Sequence, residues 1–168
     1  MTKSLQTRRL RAAPLRPDAV DAAVELPHAL RHAACDGRLP ASLLEQRTSD
    51  RFGKHIQRRA ESCRAAWLGL KLAGLSATTA SGVDDVWVKR QYRRRGTATR
   101  LIDATCTGLA QRDFRAAQTG SGNFNYAASA LFEDPGWRKI GAELVRIAPG
   151  IRHEALVYTR PLPLKELP

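Results

Sequence analysis

Residues 83–111 read VDDVWVKRQYRRRGTATRLIDATCTGLAQ, and the chain changes its periodicity once within them. Val86, Trp87 and Val88 are β-branched and aromatic and read as the end of a strand of about 83 to 89. From Ala98 onward, Ala98, Leu101, Ile102, Thr105 and Leu109 recur at helical spacing. A polar turn with a single glycine, Gly96, separates the two. A strand that passes through so short a turn into a helix confines the chain to a mixed α/β architecture.

The flanking segments agree with that architecture. Leu10–Pro17 opens with a short extended piece, and Asp18, after Pro17, is placed to cap a helix that Pro27 interrupts. A second helical region covers roughly 40 to 62, with Ser49 and Asp50 placed to cap its second half. AAWLGLKLAGLSATTASG reads as a β-hairpin, FRAAQTG as a short strand, and NYAASALFED as a short helix stopped by Pro135-Gly136. RKIGAELVRIA and RHEALVYTRPL read as two final strands. No internal linker or repeat appears, so residues 1–168 are expected to form a single domain.

Composition removes several classes. No apolar run approaches the ~20 residues of a membrane span, and the charged N-terminus lacks a secretory signal pattern, so a cytoplasmic protein is expected. Cys35, Cys63 and Cys106 show neither CxxC spacing nor an even count, and His28, His32, His55 and His153 are scattered, so no disulfide framework and no metal site are expected. The net charge of +12 attracts polyanions without naming one. Arg and Lys are spread along the chain and aromatics are 6%, so the stacking platforms of single-strand binders are not visible and nucleic acid is the weaker partner reading.

The turn itself is where charge and backbone meet. Amides at a helix N-terminus have no partners within the helix, and with the helix dipole they attract an anion. Arg93, Arg94, Arg95 and Arg100 can add charge-assisted contacts to phosphate oxygens. Neither GxxxxGK[ST] nor GxGxxG is present. On this stretch alone a solvated basic turn explains the pattern equally well.

A second stretch, NYAASALFEDPGW, lies one helix and one strand downstream. Together the two resemble the GNAT superfamily of acetyl-CoA-dependent N-acetyltransferases. The family loop reads Arg/Gln-x-x-Gly-x-Gly/Ala after a strand ending in valine, matched by Val88, Arg93, Gly96 and Ala98. Its next pattern is matched by Asn125, Ala128, Leu131-Phe132 and Gly136-Trp137. The clear resemblance covers about residues 67 to 162. It implies a mixed α+β fold with a central, mostly antiparallel mixed sheet flanked by helices, and a splayed strand pair forming the CoA cleft. It also implies an acyltransferase that uses acetyl-CoA and no metal, acts on a small-molecule or peptide amine, and belongs to a superfamily in which homodimers are frequent. By resemblance the backbone of Val86, Trp87 and Val88 would pair with pantetheine. The pyrophosphate would sit on amides from Arg94 through Arg95, Gly96, Thr97 and Ala98 to Thr99. Asn125 and Ala128 would lie beside the pantetheine and the thioester, with Phe132 near the sulfur.

Two departures touch the chemistry. Phe132 stands where many members have a tyrosine assigned as the acid for the CoA thiolate, so Tyr126, Ser129 and Tyr158 become the hydroxyls to consider, with Tyr126 first. Family members often carry a glutamate on the strand before the loop; here the carboxylates are Asp84 and Asp85. Strict alternation puts Asp84 on the face of Val86 and Val88 and Asp85 on the other. Either carboxylate can take the amine proton, or pair with the arginine excess. A non-catalytic acyl-CoA-binding module is the alternative reading, and Phe132 favours it.

Overall fold

A computed structural model describes residues 9–26, 54, 56–80, 82–123, 125–134, 136–148 and 150–163, with the backbone alone for Ile147 and Ala148. The expected caps Ser49 and Asp50, the break at Pro27, and Cys35 lie outside the described residues.

The described strands are β1 (Leu10–Pro14), β2 (Arg64–Leu68), β3 (Lys71–Thr78), β4 (Val83–Val88), β5 (Ala116–Gly122), β6 (Arg138–Ala148) and β7 (Ile151–Pro161). The helices that matter for the site are α1 (Thr97–Gln111) and α2 (Tyr126–Phe132). The strands form two antiparallel sheets, ordered β1-β2-β3-β4 and β5-β7-β6. The expected central sheet is therefore divided. Its two parts meet through one parallel bridge, Gly82 to Gln118, and beyond it β4 and β5 share no further ladder among the described residues. That divergence is the splayed pair.

Short turns set the register of the first sheet. Gly69, at φ 63°, and Leu70 close the β2–β3 hairpin, which leaves Leu70 85% exposed. At the far end, Ala77 pairs with Asp85 and Thr78 with Val83, so Asp84 is an extra residue in a β-bulge.

Three apolar clusters hold the layers together. One face of the first sheet packs Ala65, Leu75 and Ala77 against Leu15, just after β1, and Ala19, Ala23, Leu26 and Ile56 from the N-terminal helical segments. On its other face, Ala66, Ala73 and Tyr92 meet Leu101 of α1. Next to Leu101, Ile102, Cys106 and Leu109 of α1 enter the third cluster with Val83, Ala117, Phe132, Tyr158 and Leu162. Helix α1 thus spans the junction between the sheets, as the spacing of Leu101, Ile102, Thr105 and Leu109 requires.

One local expectation needs correction. Asp18 is not a helix cap: it lies inside the 3₁₀ turn Pro17–Ala19, whose cap position is Arg16. Its carboxylate meets Arg16 Nε at 3.3 Å instead. Proline at the first turn position already fixes the backbone and supplies no amide to cap.

Candidate functional site

Strand β4 brings a backbone edge to the gap between the sheets. Lys89 N donates to Ala73 O at 2.9 Å, and Trp87 lies opposite Leu75. Backbone groups alternate in direction along an antiparallel strand. Trp87 therefore bonds toward β3, whereas the N–H and C=O of Val86 and Val88 point to the open edge. The resemblance implied backbone pairing by all three; the register leaves that to Val86 and Val88. The Trp87 side chain packs on the cluster beneath the N-terminal helical segments.

The turn after β4 is built to hold its shape. Arg90–Tyr92 form a 3₁₀ turn, and Thr97 Oγ1 donates to Tyr92 O at 2.7 Å from a buried position. Thr97 thus offers only its amide outward. Arg93 Nε donates to Val88 O at 3.1 Å, tying the turn to the end of β4. Arg94 adopts φ 58° and Gly96 φ 72°, both left-handed. A Cβ at Gly96 would meet nothing within 4 Å, so the glycine answers to its φ and leaves open space beside it. The first helical bond of α1 runs from Arg100 N to Gly96 O at 3.0 Å, which leaves the amides of Thr97, Ala98 and Thr99 outside the ladder. Arg90, Arg94, Arg95 and Arg100 are exposed and carry no ion pair among the described residues. An open backbone edge thus leads directly into three uncommitted amides ringed by cations.

The two carboxylates of β4 do not obey strict alternation. The bulge rotates Asp84 away from Val86, and its Oδ2 accepts from Arg59 Nη1 at 3.0 Å. Arg59 also donates to Thr78 O at 3.5 Å. Asp85 acts on Cys63, next to the same arginine: burial first, and then the Asp85 charge, push that thiol up to about 11, with Arg59 and Arg64 opposing. Both carboxylates therefore lie toward Arg59, on the side of the N-terminal helical segments. No sequence signal singles out Arg59, since 25 residues separate it from Asp84 and only the folded sheet joins them.

Across the gap, β5 presents Ala117, Thr119 and Ser121 inward and leaves Gln118 and Gly120 exposed. Ser121 Oγ meets Ser129 Oγ of α2 at 3.3 Å. Asn125 caps α2, its Oδ1 accepting from Ala128 N at 3.3 Å. The two family-motif residues are thereby bonded to each other. Phe132 is 4% exposed, set edge-on to Trp137 at 5.1 Å and tilted against Tyr158 at 5.7 Å. Tyr126 is 72% exposed at the first turn of α2. A groove of about 330 Å³ between α1 and the end of β7, lined by Asp103, Cys106 and Arg160 among others, contains none of these residues. Among the described residues no group of His, Cys, Asp and Glu is placed to hold a metal ion, and no helix is long and apolar enough to cross a membrane.

Comparison with known proteins agrees with this geometry. A family model described as ESCO1/2 acetyl-transferase matches residues 77–112, the segment from the end of β3 through α1. No curated protein sequence matches the chain. Among solved structures, the PaiA N-acetyltransferase of Thermoplasma acidophilum in complex with coenzyme A superposes with a TM-score of 0.74 at 8% identity, over 91% of this chain and 99% of that one. The yncA protein of Salmonella typhimurium, solved with its cofactor acetyl-CoA, gives 0.70 at 12% identity over 95% and 98%. The ribosomal-protein-S18-alanine N-acetyltransferase of Escherichia coli gives 0.64 at 15% identity over 94% and 97%. The fold of this chain is the GNAT N-acetyltransferase fold.

Proposed function

We propose that the chain is an N-acetyltransferase that binds acetyl-CoA between β4 and β5 and passes the acetyl group directly to a primary amine. One observation carries the reading: the open edge of β4, where the N–H and C=O of Val86 and the N–H of Val88 face the gap while Val88 O accepts from Arg93 Nε, runs into the uncommitted amides of Thr97, Ala98 and Thr99. An extended arm with amide groups, followed by a pyrophosphate, fits an open strand edge followed by a helix N-terminus. Arg94 and Arg95 add charge near the phosphates. Asn125 and Ala128, joined by their cap, border the arm from the side of α2.

In this reading the neutral amine attacks the thioester carbonyl, the C–S bond breaks, and coenzyme A leaves as its thiolate. Asp84 or Asp85 takes the proton the amine sheds. The bulge and Arg59 place both carboxylates on one side of the sheet, where either is a candidate acceptor. Tyr126 is the hydroxyl assigned to protonate the leaving thiolate. Holding both reactants in place supplies a large share of the rate, and a proton acceptor adds on the order of 10²–10⁴-fold. The acceptor is a small molecule or a peptide amine.

Phe132 favours a second reading, a module that binds acyl-CoA without turnover, because its buried ring has no hydroxyl to give. Calorimetric titration with CoA, followed by thiol release from acetyl-CoA against a panel of amines, separates the readings. Binding with turnover supports the transferase, and Asp84→Asn or Asp85→Asn then lowers kcat by about 10²-fold or more. Binding with no turnover on any amine supports the module. No binding of CoA overturns both.

A further inference from the structure

We infer that Thr119 is a positioning residue that fixes how deep the cofactor arm enters between β4 and β5. This rests on the proposed CoA cleft. Gly82, just before β4, forms an isolated parallel bridge with Gln118 of β5, and the next polar contact between the two strands, Thr119 to Val83, is made by a side chain. Thr119 Oγ1 donates to Val83 O at 2.8 Å from a position 6% exposed. A side chain thus stands where a backbone amide would continue the ladder. It satisfies the Val83 carbonyl, which as a buried acceptor needs a partner.

Directly beyond this contact the strands diverge. Asp84 and Asp85 follow on β4, and Gly120 follows on β5, where a Cβ would meet nothing within 4 Å. The approach on the other side of the contact is close. A Cβ at Gly82 would lie 2.7 Å from Thr79 Oγ1 and 2.9 Å from Gln118 O. The fold therefore passes from a close strand contact to an open gap across one hydroxyl. Remove that hydroxyl and the Val83 carbonyl is free to take the next amide of β5. The ladder then extends by one residue, about 3.3 Å along the strand. The floor of the gap rises by that amount, and the thioester end of the arm loses its place beside Asp84 and Asp85. The phosphate end, held by the turn after β4, is unaffected.

The test compares two ligands on the full chain by calorimetry: acetyl-CoA, and 3′-phospho-ADP, which has the phosphates and lacks the arm. Thr119→Val is expected to raise the Kd of acetyl-CoA about tenfold or more while leaving that of 3′-phospho-ADP within about threefold, since the arm's hydrogen bonds to the strand edge fall out of register and the phosphate contacts do not. Thr119→Ser, which keeps the donor, is expected to stay within about threefold of the parent for both. Thr119→Ala reads the same loss should the valine variant not fold. Equal weakening of both ligands, or no weakening of either, overturns the role of Thr119 and leaves the cleft standing. If the parent chain binds neither ligand, the cleft reading falls and this inference with it.

Discussion

Gly96 and the arginines before it show how much one backbone angle decides. At φ 72° an L side chain is strained even in open space, so Gly96→Ala should cost about 1 kcal/mol in urea denaturation with no clash to relieve. An unchanged midpoint would mean that the turn relaxes. Reversing the exposed pair, Arg94→Glu with Arg95→Glu, should leave the fold intact and weaken CoA at least tenfold at low salt, an effect that shrinks as salt screens it. Salt-independent loss, or none, would place the pair away from the phosphates. Gly96 was legible in the sequence because its role is local, a φ; Arg93 was read there as a phosphate contact, and its bond to Val88 O appears only in the fold. Arg59 was not, because its contact with Asp84 exists only once β3 and β4 are paired. Trp87 shows the same limit, since which backbone groups face the gap is a matter of register and not of residue type.

At the scale of elements, α1 carries the fold because it packs on both sheets. Its helical spacing was plain in the sequence, as were the hairpin, α2 and the two last strands, each bounded by glycine or proline. The bulge at Asp84 was not, because nothing in VDDVWV marks an extra residue; it appears only against the register of β3. One buried polar contact fixes α1 against β3, with Ser76 Oγ and Thr105 Oγ1 2.7 Å apart. Either Ser76→Ala or Thr105→Val alone should cost about 1–3 kcal/mol by stranding the other hydroxyl, and the double variant should cost less than the sum. Additive losses in a double-mutant cycle would contradict this. The thiols of Cys63 and Cys106 are likewise held inside, and burial raises both from 9.0 to about 11. A thiol whose folded value is raised stabilises the native state fully below pH 9, and that contribution is lost as pH climbs toward 11. At pH 8 the native chain should therefore resist iodoacetamide at both positions, as peptide mapping by mass spectrometry would show, and urea should release them. Rapid labelling of either in the native chain would contradict its placement.

For the molecule as a whole, the divided sheet is the central fact. Two antiparallel sheets that share one backbone bridge among the described residues leave a gap whose rim is a cationic turn, and the positive net charge of the chain favours an anionic visitor from any direction. Charge alone does not distinguish a nucleic acid from a phosphorylated cofactor. The open edge of β4 beside the cationic turn, which suits an extended arm ending in phosphates, is what favours the cofactor in the proposed reading. The measurement that bears most directly on this is the thermal unfolding of the full chain with millimolar CoA, run beside the same phosphate charge supplied as a short RNA. A ligand specific for the native state at about a hundred times its Kd adds about 2.7 kcal/mol. Binding in the cleft should let CoA raise Tm by several degrees in the parent chain and by less in the Arg94→Glu, Arg95→Glu variant. An unmoved Tm with CoA, together with a clear rise with RNA at physiological salt, would contradict it.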